Sequence, residues 1–144
     1  MRTLLTLLML GAPGFAAPVP KELKKKFPLE QLLGDWEMVS HDFGNGQDSA
    51  LDGYTKLNIS MCQDKRYAGK LLAEMEGIGK RFSGIMVCDF AHRPMQMDLD
   101  DPRGIFEFVG GRLHWYVAQP GQPRPTEFKG SDGVFRTIWK RAEK

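Results

Sequence analysis

The stretch that most constrains this chain is Gly104–Phe128, GIFEFVGGRLHWYVAQPGQPRPTEF. In Ile105–Val109 and in Leu113–Val117 apolar side chains recur at every second position. That is the period of a pleated strand with one buried face. Gly110-Gly111 between them supplies a two-residue turn, where glycine reaches the positive φ that the tight hairpin geometries require. A proline-studded loop, Pro120–Asp132, follows the second strand.

The rest of the chain repeats the strand pattern. Pro28 suits the first turn of a short helix whose apolar side is Leu29, Leu32 and Leu33, with Gly34 ending it. Asp35–Ser40 reads as the first strand, and the Gly-, Asn- and Asp-rich run His41–Gly53 as a loop. Tyr54–Met61 alternates cleanly, Leu57, Ile59 and Met61 on one face against Lys56, Asn58 and Ser60 on the other. Further strands are expected over 66–75, 82–90, 95–99 and 133–141, the first of these also fitting a helical turn through Leu71, Leu72 and Met75. About eight short strands joined by compact turns predict an all-β fold. A sheet of that size has reason to close, since closure removes both exposed edges. The expectation is a single antiparallel eight-stranded up-and-down barrel with a short N-terminal helix. Such a barrel either fills its interior with side chains or holds one small ligand.

The first residues are not expected to belong to it. Arg2, the apolar run Leu4–Leu10 and Gly14-Phe15-Ala16 have the form of a signal peptide cleaved after Ala16. The apolar run is too short to span a bilayer. The organisation predicted is a signal peptide over 1–16, a basic tether over 17–27 and one barrel domain over 28–144, in an exported (periplasmic or extracellular) protein. Removing 1–16 takes away Arg2 and no acid, so the 20 Lys+Arg fall by one to 19, against 18 Asp+Glu. A nearly neutral domain argues against electrostatic nucleic-acid binding. Lys21, Lys24, Lys25 and Lys26 form the one dense basic cluster, a solvated linker or a contact for an anionic surface.

Cys62 and Cys88 are the two cysteines, and in an oxidising compartment a disulfide between them is the favoured reading, with two separate thiols as the alternative. His41, His92 and His114 have no zinc-like spacing, and Asp98, Asp100 and Asp101 lack a calcium-loop pattern. No catalytic motif, metal site or cofactor fingerprint appears.

Two segments resemble a known group. Leu33-Gly34-Asp35-Trp36-Glu37-Met38-Val39-Ser40 and Gly104–Phe128, ending Arg124-Pro125-Thr126-Glu127-Phe128, look like a secreted lipocalin-like domain family numerous in planctomycete bacteria. The family typically opens on a Leu-x-Gly-x-Trp strand and closes with Arg-Pro-Thr-Glu-Phe and a last strand ending Lys-Arg, here Lys140-Arg141. The likeness covers roughly 31–141. It implies a fold and no established activity. Gly34-x-Trp36 is also how lipocalins in general begin. In that wider group the tryptophan closes the barrel floor beneath a basic residue of the last strand, which here would be Arg141 or Lys140. A cation over an indole face contributes about 0.5–2 kcal/mol.

Two further sets of residues are candidates for function. Met61, Met86, Met97, Phe106 and Trp115 fall on the strands' apolar face, where flexible methionines could accommodate an apolar ligand or fill irregular core gaps. Arg124, held between prolines, could receive an anion at the barrel mouth. Alternatively it pairs with a loop carboxylate such as Glu127 while Phe128 plugs the core. The functional expectation is an exported, monomeric, non-enzymatic barrel binding a small apolar or amphipathic molecule. The alternative is an envelope-associated interaction module with a side-chain-filled barrel.

Overall fold

The computed structural model describes residues 28–43, 53–130 and 133–143. The expected signal peptide and tether lie outside the described residues, as does most of the loop between the first two strands. A five-residue helix, α1 (Pro28–Leu32), precedes eight strands: β1 (Gly34–Phe43), β2 (Tyr54–Met61), β3 (Leu71–Gly77), β4 (Lys80–Asp89), β5 (Met95–Leu99), β6 (Arg103–Val109), β7 (Arg112–Ala118) and β8 (Val134–Arg141). Each strand pairs antiparallel with its sequence neighbours, and β1 also pairs with β8, so the sheet closes as an up-and-down barrel.

Alternation decides what fills it. Leu57 and Ile59, Leu71, Ala73 and Met75, Met97 and Leu99, Leu113, Trp115 and Val117 point inward and are buried. The β6–β7 hairpin turns at Gly110 and Gly111 with φ of 58° and 77°, the left-handed values expected there. Met86, Met97, Phe106, Trp115 and Trp139 are all fully buried. Gly104 leaves room for the Trp115 indole, whose Nε1 a Cβ at that position would strike.

Several local expectations change. The first strand runs past Ser40 through His41–Phe43, because β8 supplies partners as far as Phe43↔Phe135. In the 66–75 region the strand begins only at Leu71. Asp64 accepts hydrogen bonds from the Arg66 backbone and guanidinium, winding Lys65–Tyr67 into a 3-10 turn instead.

The disulfide is also overturned, since both cysteines are free. Cys62 follows Met61 at the end of β2, Cys88 sits on β4, and β3 runs between these strands. Two inter-strand spacings of about 4.8 Å separate them, beyond the roughly 7 Å that a disulfide spans between Cα atoms. Burial, reinforced by the Asp98 charge, pushes the Cys88 thiol up to about 12. Both thiols are therefore expected to alkylate in denaturant without reductant. In the native protein Cys88 is expected to lag far behind Cys62, because the thiolate is the reacting form. Intact mass against time measures this, and a protein that needs reductant before it alkylates would contradict it.

Candidate functional site

Three regions of the barrel carry arranged side chains: the floor under α1, the outer wall of β1–β4, and the outer wall of β5–β7. The floor is built from both ends of the fold. Trp36 is buried inside β1, stacks on Phe108 with ring centroids 6.3 Å apart, and donates its indole N–H to the Leu32 carbonyl at 2.8 Å. Arg141, at the end of β8, lies over the indole, its guanidinium carbon 4.0 Å from the ring centroid. The same guanidinium donates to the Gln31 and Leu33 carbonyls, groups that a helix end leaves without partners. Partial burial lowers the Arg141 pKa from its ordinary value, and Asp35 opposes the shift. Gly34 is required here. Its φ is +119°, and a Cβ would stand 2.7 Å from an Arg141 guanidinium nitrogen. Lys140, the other cation expected over Trp36, faces outward and pairs with Glu37 at 3.7 Å.

Outside the wall, the register lines up Lys140, Glu37, Lys56, Glu76 and Arg81 across β8, β1, β2, β3 and β4. Charges of opposite sign alternate along this row, with Arg81 3.7 Å from Glu76. Exposed pairs of this kind each contribute between zero and about 1 kcal/mol. A cleft of about 930 Å³ extends along this wall to the floor, lined on the outside by Asp35, Asn58, Glu74 and Glu143 among others, and also by the inward-facing Trp36, Leu57, Met75 and Phe82. Asn58 donates to Asp35 at 2.7 Å within it.

The third region corrects the placement of Arg124. Its guanidinium donates to Gln96 Oε1 and Asp98 Oδ2 on the outer face of β5; Glu127 is not its partner, and it does not stand at the mouth. The Arg124 and Asp98 side chains keep 26% and 25% of their exposure. The other Asp98 oxygen accepts from the Gly104 amide at 3.2 Å, so this carboxylate ties the loop to the start of β6. Phe128 does not plug the core either. It packs edge-on against Tyr116, centroids 5.4 Å apart, on the outward side of β7. The loop after β7 is thus a strap laid over the barrel, and beneath it outward-facing Ile105 and Tyr116 are only 1% and 6% exposed. A smaller hollow of about 330 Å³ lies along the strap beside Gly133 and Val134.

The proposed ligand-lining residues do not converge on a cavity. Met86, Met97, Phe106 and Trp115 pack together in the core, Met61 is exposed at the end of β2, and Arg124 is outside the wall. Neither cleft is lined by any of the four core residues. The interior polar groups find one another. Trp115 donates to the Met97 carbonyl at 3.3 Å, and Trp139 to Thr137 Oγ1 at 3.0 Å, which in turn donates to the Trp115 carbonyl at 3.2 Å. Among the described residues, the one buried side-chain nitrogen or oxygen without a partner is Arg124 Nε, under the strap and not in the barrel.

Comparison of the chain with protein-family models, curated proteins and solved structures finds no match.

No three His, Cys, Asp or Glu side chains gather as a metal site among the described residues. His114 lies on the outer face of β7 beside Glu107. Burial lowers its pKa from the usual value, with Glu107 opposing and Arg136 and Arg112 adding to the shift. The strap's seat was missed by the alternation argument, yet a signal for it exists. Trp115-Tyr116-Val117-Ala118 is apolar on both parities, the mark of a strand covered on both faces.

Proposed function

We propose that the chain is an exported, non-enzymatic lipocalin-like barrel, of the kind numerous in planctomycete bacteria, that acts through its outer surface as an envelope-associated interaction module. The observation carrying this reading is the filled interior. Every indole N–H has an acceptor inside the protein, and Met86, Met97, Phe106 and Trp115 have no exposed surface. A ligand cavity needs an apolar lining facing open space, with a few polar groups left to orient the guest. Here the methionines fill irregular gaps between large rings, the second of the two uses that methionine has in a core. Recognition then falls to what the barrel presents outward: the charged wall, the strap and the turns.

Native mass spectrometry of the protein purified from its own host tests both halves of this reading. The expected species is a polypeptide beginning at Ala17 with no small molecule retained. An apolar guest surviving purification would restore the ligand-binding alternative, and an intact Met1 would remove export.

A further inference from the structure

The register sorts the outer wall of β1–β4 into rows of different character. The row Glu37–Lys56–Glu76–Arg81 alternates in sign and is continued by Lys140, which pairs with Glu37. One step nearer the start of β1 comes Asp35–Asn58–Glu74–Ser83, with two carboxylates and no cation. The row after that, Ser60–Leu72–Ile85, carries no charge. Ala142 donates its amide to the Asp35 carbonyl at 3.0 Å, which brings Glu143 to the same end of the acidic row. Glu74 and Glu143 are exposed, and among the described residues neither has an ion-pair partner. The cation at this end is Arg141, whose guanidinium is committed to the Gln31 and Leu33 carbonyls and the Trp36 ring. Three carboxylates less one guanidinium leave this side of the cleft two negative charges in excess.

A cleft with one acidic side suits a basic stretch of chain, and the protein carries one beside it. Residues 17–27, outside the described residues, hold Lys21, Lys24, Lys25 and Lys26 against Glu22, four charges less one. They join the fold at Pro28, and α1 leads directly into Leu33 and Gly34, which line the cleft. The acidic row crosses three inter-strand spacings, about 14 Å. Eleven residues reach up to about 37 Å, so length does not keep the lysines from it. A segment linked this closely meets its site at an effective concentration on the order of millimolar. We propose that the tether's lysines dock on the Asp35, Glu74 and Glu143 side of the cleft. The proposal deepens the outer-surface reading and rests on it: a partner that uses this wall must carry a basic segment able to displace the tether.

The test uses the protein beginning at Ala17, as an equal mixture of isotopically light and heavy chains. Carbodiimide joins an ammonium to a carboxylate in direct contact, and mass spectrometry of the digest reads the joined pairs. Links from Lys21, Lys24, Lys25 or Lys26 to Asp35, Glu74 or Glu143 within single copies are the expected result. Trimming by trypsin after Lys24, Lys25 and Lys26 under native conditions is the second readout. Two exposed ion pairs together shift an equilibrium about fivefold, so Glu74→Gln/Glu143→Gln is expected to be trimmed about fivefold faster than the parent. Raised salt is expected to erase that difference. A urea midpoint near the parent's will show that the double variant is folded. Links spread over exposed carboxylates elsewhere on the barrel, such as Asp101 and Glu127, would overturn the proposal. So would links found only between light and heavy copies, or a folded double variant trimmed at the parental rate. Failure here leaves the filled-barrel reading standing, since retained ligand and processed N-terminus are decided by the mass of host material.

Discussion

Trp36→Ala is expected to destabilise the barrel by about 3–5 kcal/mol, the range for removing a buried large aromatic side chain. Three interactions go at once. The indole stacks on Phe108, donates to the Leu32 carbonyl, and carries the Arg141 guanidinium over its ring. The Leu32 carbonyl belongs to α1, so the loss loosens the helix from the floor as well as opening a void beneath it. Arg141→Ala is expected to cost less, because the guanidinium is partly open to water. The two substitutions should not add, since each removes the same cation–indole contact. Urea unfolding of the single variants and the double variant measures all three quantities. A Trp36→Ala midpoint near that of the parent protein would mean that the floor does not hold the barrel shut.

Removing Arg124 has the second largest expected effect, about 1–3 kcal/mol. The figure lies between the fraction of a kilocalorie typical of an exposed ion pair and the 3–5 kcal/mol of breaking a buried one, because both side chains keep about a quarter of their exposure. Arg124→Ala leaves Asp98 facing the underside of the strap with no cation. It also frees the strap to lift from Ile105 and Tyr116, so Phe128→Ala should act in the same direction and the pair should be non-additive. Asp98→Ala is expected to cost less on top of Arg124→Ala than alone. A strap that merely rests on the wall would give an Arg124→Ala protein with an unchanged urea midpoint.

Much of the architecture was legible in the chain because period-two alternation survives wherever one face of a strand meets the core and the other meets water. Leu57 and Ile59 against Lys56, Asn58 and Ser60 is the plainest case, and the turn at Gly110-Gly111 needs no tertiary information. Closure was legible through Gly34-x-Trp36 and the basic pair Lys140-Arg141, whose meeting depends on two ends 105 positions apart in the register Trp36↔Arg141. The strap was harder to read. Gln96 and Asp98 look like ordinary solvent-facing residues of an alternating strand, and nothing in their spacing says that Arg124 comes to them. The cysteines misled for a related reason. An even count in a chain expected to be exported favours a bridge, but strand order places β3 between them. The filled interior was equally out of reach, since the same methionines and rings could line a cavity or close one. In the structure those methionines pack with Phe90, Phe106, Phe108 and three tryptophans, and packing is a property of all eight strands together.

The seam between β1 and β8 sets an order of events. β1 meets β2 only over Gly34–Glu37, whereas its ladder with β8 runs from Trp36↔Arg141 to Phe43↔Phe135. The strand formed first is therefore held chiefly by the strand made last, with Arg141 as the final clasp over α1. Pairings this distant in sequence are slow and close late. A ribosome that has released only the first seven strands has made an open sheet with two live edges, one of them β1. Such a chain commits to its native shape only once β8 has emerged. For a polypeptide proposed to pass through a translocation channel, that delay keeps it threadable for as long as threading is needed.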